Sequence, residues 1–134
     1  MVRLHHISIV VKDADRAKET FLRLLNGSLV GEHIIDEGRL KLVWIKFNNT
    51  ILELLQPLSS DSDIYRSLEE RGEGLHHIGV EVDDIEEEVE RLKKLGMSFV
   101  GEKPISEVLN MLIAFVSPND LHGVLYELVQ HKRK

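Results

Sequence analysis

Arg71-Gly72-Glu73-Gly74-Leu75-His76-His77-Ile78-Gly79-Val80-Glu81-Val82 is a glycine-rich turn running into a β-branched segment that opens on two adjacent histidines. Strand alternation puts His77, Gly79 and Glu81 on one face and Ile78, Val80 and Val82 on the other. The second face is apolar and needs a core. The first offers an imidazole beside a residue with no side chain, where a ligand can come close. The phrase occurs again near the N-terminus as Leu4-His5-His6-Ile7-Ser8-Ile9-Val10-Val11, with His6, Ser8 and Val10 on one face. The chain is built on that recurrence.

Outward from each copy the two halves run in parallel. In the first, a strand over 1–11 leads to a helix capped by Asp13 or Asp15, with Ala17, Phe21, Leu24 and Leu25 at helical spacing. Asn26-Gly27 ends it. Strands are expected over 28–35, 40–47 and 50–55, separated by turns at Asp36-Glu37-Gly38-Arg39 and Asn48-Asn49 and closed by Pro57. In the second half, a strand over 75–82 leads to a helix capped by Asp83 and Asp84. Its stripe is Ile85, Val89, Leu92 and Leu95, and Gly96 stops it. Strands are expected over 98–103, 109–116 and 123–129, with a solvated tail from His131 to Lys134.

Other pieces repeat too: Val30-Gly31-Glu32 returns as Val100-Gly101-Glu102, and Glu53-Leu54-Leu55 as Glu127-Leu128-Val129. From His6 to Glu53 is 47 residues, and from His77 to Glu127 is 50. A unit this short buries little core alone, so the halves are expected to share one. The expectation is a single α+β domain over 1–134, made of two tandem βαβββ modules (about 1–57 and 75–130). They would form a curved, cupped mixed sheet, joined by a linker over 58–74 with a short helix from about Ile64 to Arg71.

Composition narrows the class. Of 134 residues, 43% are hydrophobic and 30% charged, ordinary for a globular protein. A formal charge of −6 argues against a nucleic-acid-coating surface. No apolar run has the length of a membrane span, and no partner membrane is expected. There are no cysteines, which excludes disulfides, thiolate metal sites and cysteine nucleophiles and makes a cytoplasmic address the expectation.

The duplicated chemistry is a histidine from the first strand of each half and a glutamate from the last. Side-chain parity favours His6 and His77 over His5 and His76, which share the side of the apolar residues that must meet the helices. Ser8 and Gly79, two residues along, are small. Glu53 sits between Leu52 and Leu54, and Glu127 between Tyr126 and Leu128. A carboxylate inside an apolar strand is costly unless something pairs with it. Two imidazoles and two carboxylates make a nitrogen and oxygen set suited to zinc, cobalt, manganese, nickel or iron.

These residues carry a family resemblance. The whole chain resembles the vicinal oxygen chelate (glyoxalase/bleomycin resistance/dioxygenase) superfamily and, within it, is most similar to the methylmalonyl-CoA epimerases. The likeness rests on Leu4-His5-His6-Ile7, on Ile51 to Leu58, on Gly72-Glu73-Gly74-Leu75-His76-His77-Ile78, on Gly123-Val124-Leu125-Tyr126-Glu127-Leu128, and on the linker segment Asp63-Ile64 to Leu68-Glu69. It implies one divalent metal ion per chain (cobalt, manganese, nickel or zinc) held by His6, Glu53, His77 and Glu127. It implies an acyl-CoA substrate, a homodimer, and an isomerase that interconverts (R)- and (S)-methylmalonyl-CoA through an enolate. The family's non-ligand catalytic glutamate precedes strand three, and counting back sixteen from Glu53 gives Glu37, with Asp36 the alternative. On the same resemblance, Glu127 would serve as the opposing base.

Two departures bear on the substrate. The family has a Gly-Val pair after the strand-three turn, where this chain reads Glu37-Gly38-Arg39. It also carries a glycine-rich basic segment where this chain has Pro104 to Met111, with neither glycine nor basic residue. Alternative readings are a glyoxalase I-type lactoylglutathione lyase and a metal-free ligand-binding or resistance module of the same fold. Lys41, Lys46 and Arg39 read as surface charges, Trp44 as a core or interface filler, and His122 and His131 as solvent-facing. Ile113, Phe115 and Val116 offer one apolar surface for a dimer.

Overall fold

The computed structural model describes residues 2–132. The chain divides into two compact units, one of His6–His76 and the other of Met1–His5 with His77–Lys134. The contact boundary therefore falls inside the two histidine strands, and the segment expected as a linker belongs to the first unit.

In the first unit, the part of β1 (Arg3–Val10) from His6 onward is followed by α1 (Ala14–Leu25), β2 (Ser28–Ile35), β3 (Leu40–Phe47) and β4 (Thr50–Pro57). The strand order is β2-β3-β4-β1, with β1 and β4 parallel and the remaining pairs antiparallel. Asp13 caps α1 by accepting from the backbone N–H groups of Asp15 and Arg16, and Asn26 ends it in the left-handed conformation at φ 50. Ala17, Phe21 and Leu25 pack on Val43, Ile45, Leu52 and Leu54 of the sheet. Leu24 departs from the expected stripe and is 71% exposed, because it falls beyond the edge of the face that Phe21 and Leu25 define. A short helix, α2 (Asp63–Arg71), follows, with Ser62 as its N-cap.

The second unit repeats the plan with β5 (Gly74–Glu81), α3 (Ile85–Lys94), β6 (Ser106–Val108), β7 (Met111–Val116) and β8 (Tyr126–His131). Here β5 and β8 are parallel, and β8-β7-β6 are antiparallel. Asp84 caps α3, whose Ile85, Val89 and Leu92 meet Val80, Ala114, Val116 and Leu128. Leu95, expected on the same stripe, caps the helix and is 63% exposed.

The expected strand over 98–103 does not form; only Phe99 makes an isolated bridge, to Val116. Gly101 adopts φ +86 and Pro104 has no N–H to give to a ladder, so the chain bends there. The same Val-Gly-Glu triplet is extended in β2 and bent at 100–102. The second-strand position is filled instead by β6, in the Pro104–Met111 segment. Leu109 and Asn110, expected inside the next strand, form its hairpin turn with φ 47 and 63. His122 and Gly123 are likewise left-handed, which delays β8 to Tyr126. Val116 is fully buried, so it belongs to the core and not to a surface. The tail residues Arg133 and Lys134 lie outside the described residues, as does Met1.

A further repeat joins each helix to its sheet. Gln56, three residues after Glu53, accepts from the Ala14 N–H at 2.9 Å, and Gln130, three after Glu127, accepts from the Ile85 N–H at 2.8 Å. Ala14 and Ile85 are both fully buried at the first turn of a helix, so their N–H groups need these acceptors.

Candidate metal and catalytic site

Each unit buries one imidazole and one carboxylate side by side. In the first, His6 is 4% and Glu53 8% exposed, with His6 Nε2 3.9 Å from Glu53 Oε1. In the second, His77 and Glu127 are each 7% exposed, with His77 Nε2 3.7 Å from Glu127 Oε1. The alternation behind this is visible along β1, where His6, Ser8 and Val10 are buried while Ile7 and Ile9 lean on the helix-side cluster.

Strand register explains how Glu53 is tolerated in an apolar sheet. On β4 it lies directly opposite Ser8 of β1 and Trp44 of β3. The Ser8 hydroxyl donates to Glu53 Oε1 at 2.6 Å, and the Trp44 indole N–H donates to Oε2 at 2.8 Å. Both oxygens are thus fixed from the two neighbouring strands, and charge-assisted bonds of this kind are the stronger ones. Sequence reading gave Ser8 only the role of being small and Trp44 that of filling space. The missed signal was the register: counting outward from the Asn48-Asn49 turn already sets Trp44 against Glu53. The Trp44 ring also packs on His33, centroids 4.6 Å apart. A Cβ at Gly31 would stand 2.9 Å from His33 Nε2 and 3.4 Å from Trp44 Cε3, so the glycine keeps room for that pair.

The second unit answers with different chemistry. Opposite Glu127 stand Gly79 of β5 and Phe115 of β7. Neither side chain carries a hydrogen-bond donor. Phe115 instead presents to the His77 ring in an edge-on arrangement, centroids 5.4 Å apart.

Glu37 lies on the exposed turn between β2 and β3, in a run of three left-handed residues, Asp36 (φ 56), Glu37 (φ 55) and Gly38 (φ 85). Asp36 is committed to Arg39, whose Nη2 donates to its Oδ1 at 2.7 Å. Lys41 is paired with Asp15 at 2.9 Å, which matches the surface-charge reading. His131 is exposed as expected, yet its ring meets that of His5, which parity had placed against the core.

The donor set fits a divalent cation. Imidazole nitrogens and carboxylate oxygens suit zinc and its neighbours in the first transition row. Buried carboxylates beside buried imidazoles are an expensive arrangement that a cation relieves. Among the described residues no helix is long and apolar enough to cross a membrane.

Residues 5–115 match the model of the Glyoxalase/Bleomycin resistance protein/Dioxygenase superfamily. The mitochondrial methylmalonyl-CoA epimerase of Bos taurus is 35% identical over 130 residues, covering 96% of this chain and 74% of that protein. The crystal structure of methylmalonyl-CoA epimerase from Mycobacterium tuberculosis superposes with a TM-score of 0.90 at 30% identity, over 98% of this chain and 89% of that one. A lactoylglutathione lyase of Neisseria meningitidis is 30% identical over 135 residues, 98% of this chain and 92% of that protein. The chain therefore belongs to the Glyoxalase/Bleomycin resistance protein/Dioxygenase superfamily, with the tandem βαβββ fold, and is related in sequence and fold to its methylmalonyl-CoA epimerases.

Proposed function

We propose that this chain is a divalent-metal-dependent epimerase that interconverts (R)- and (S)-methylmalonyl-CoA by moving the proton α to the thioester. The observation that carries the reading is the buried histidine–glutamate pair in each module, His6 with Glu53 and His77 with Glu127, at matched strand positions. These four residues would hold one ion per chain, with cobalt, manganese, nickel and zinc all suited to the set. When bound, such an ion supplies Lewis acidity toward the thioester and carboxylate oxygens on either side of the α-carbon.

The remaining work falls to the chain's own side chains. Epimerisation needs two proton-transfer groups: a carboxylate that takes the α-proton from one face, and a carboxylic acid that delivers one to the other. Glu37 and Glu127 are the proposed pair. Asp36 is the weaker choice for the first role because Arg39 holds its carboxylate. Glu53, clamped through both oxygens by Ser8 and Trp44, is suited to be a fixed ligand. The same proposal includes the acyl-CoA substrate, one functional domain over both modules, a homodimer and a cytoplasmic address.

The lactoylglutathione lyase relative favours a second reading, in which the substrate is a hemithioacetal of glutathione. Higher identity to the epimerase supports the first. The test is to offer the purified, metal-loaded protein (R)-methylmalonyl-CoA and, separately, glutathione with methylglyoxal. Formation of the (S)-thioester with no S-lactoylglutathione is expected, and the opposite pattern would replace the epimerase reading.

A further inference from the structure

A second group of ligating side chains shares no residue with either histidine–glutamate pair and falls within the unit formed by Met1–His5 and His77–Lys134. It comprises His5 near the start of β1, Glu81 at the end of β5 and His131 at the end of β8, each offering one ligand atom within 4.8 Å of the others. His131 Nε2 stands 3.2 Å from His5 Nε2, with the rings tilted 55° and centroids 5.1 Å apart. Glu81 is half-buried and receives Arg3 on Oε2 at 2.9 Å.

The nitrogen separation is informative. At zinc–imidazole bonds of about 2.0–2.1 Å, two ligands on one ion stand roughly 2.9–3.4 Å apart, from square to tetrahedral angles. The imidazoles of His5 and His131 are already at that spacing, and a carboxylate completes a set of two histidines and one glutamate. The group is not an echo of the duplicated site. By the spacing of the repeat, its counterparts are His76, Val10 and Pro57, which offer one ligand among three. Successive strand residues also point to opposite sides, so His5 and His6 serve different neighbours.

We propose that His5, Glu81 and His131 form a second divalent-cation site, with a preference for zinc and similar imidazole-binding metals. The ion takes three protein ligands, leaves its other positions to water, and fastens the start of β1 to the ends of β5 and β8. Arg3 shares Glu81 with the cation through the ion pair at Oε2.

The test compares zinc uptake by the metal-free wild-type chain and by His131→Gln in equilibrium dialysis with zinc sulfate. The wild type is expected to take one more zinc per chain than the variant, and to gain more in thermal midpoint when zinc is added. The control is His122→Gln, which removes an exposed turn histidine and is expected to bind as much zinc as the wild type. Equal uptake by wild type and His131→Gln overturns the proposal. So does an equal loss in both variants, which marks adventitious binding by surface imidazoles. Because the readout is a difference between chains, it stands whether or not the buried pairs also take metal.

Discussion

Replacing Trp44 by phenylalanine removes one proton donor from Glu53 and little else. The phenyl ring keeps most of the packing on His33, and the Ser8 hydroxyl still reaches Oε1. What is lost is the indole N–H bond to Oε2 at 2.8 Å, in a residue only 8% exposed, where water is poorly placed to substitute. A hydrogen bond to a charged group contributes about 1.5–3 kcal/mol. If Glu53 is a metal ligand, that energy is felt as weaker ligand orientation, and outer partners of this kind typically account for roughly 10–100-fold in metal affinity. The two figures agree, since about 1.4 kcal/mol is tenfold. The assay is competition of wild type and Trp44→Phe against a chromophoric chelator for cobalt or zinc, with thermal unfolding followed alongside. The expected result is affinity lower by about 10–100-fold, with turnover deficient at limiting metal and largely restored at excess. Unchanged affinity in a variant confirmed to have lost the indole bond would refute the view that the Trp44–Glu53 contact orients a ligand.

Other expectations follow from single contacts. Glu37→Gln is expected to leave metal affinity at the wild-type level while lowering turnover by about 10²–10⁴-fold, the range of a positioned general acid–base; near-normal turnover would return Glu37 to an ordinary turn role. Gln56→Leu and Gln130→Leu each strip a buried helix N–H of its acceptor. Each is expected to cost about 1–3 kcal/mol in denaturant unfolding, with similar losses in the two variants because the contacts are equivalent. A loss in one variant alone would show that the duplication does not extend to helix docking.

Much of the architecture was legible because the chain states it twice. The His-His phrases, the acidic residue inside each final strand and the aspartate before each helix mark the same points in both halves. Where one half lacked a clear signal of its own, the repeat misled: Val100-Gly101-Glu102 copies a strand triplet in letters, but Gly101 at φ +86 turns the chain. Helix stripes were over-read at their ends, at Leu24 and Leu95, where spacing continues but the sheet beneath does not. The burial of the candidate ligands was readable from parity, since a carboxylate flanked by apolar residues in a strand demands a partner. Their supports were not, because Ser8, Trp44 and Glu53 come together only through register across three strands. The contact between His5 and His131 was beyond any local pattern, as its partners are 126 residues apart.

The proposed reaction is metal-dependent removal of the proton between a thioester and a carboxylate. The direct measurement is proton NMR of methylmalonyl-CoA in D2O with metal-loaded protein, with chelated protein as the control. Loss of the α-proton signal is expected to be fast with metal and to fall to the spontaneous rate without it. Retention of the α-proton by a chain that carries its bound metal would rule out the epimerase reading.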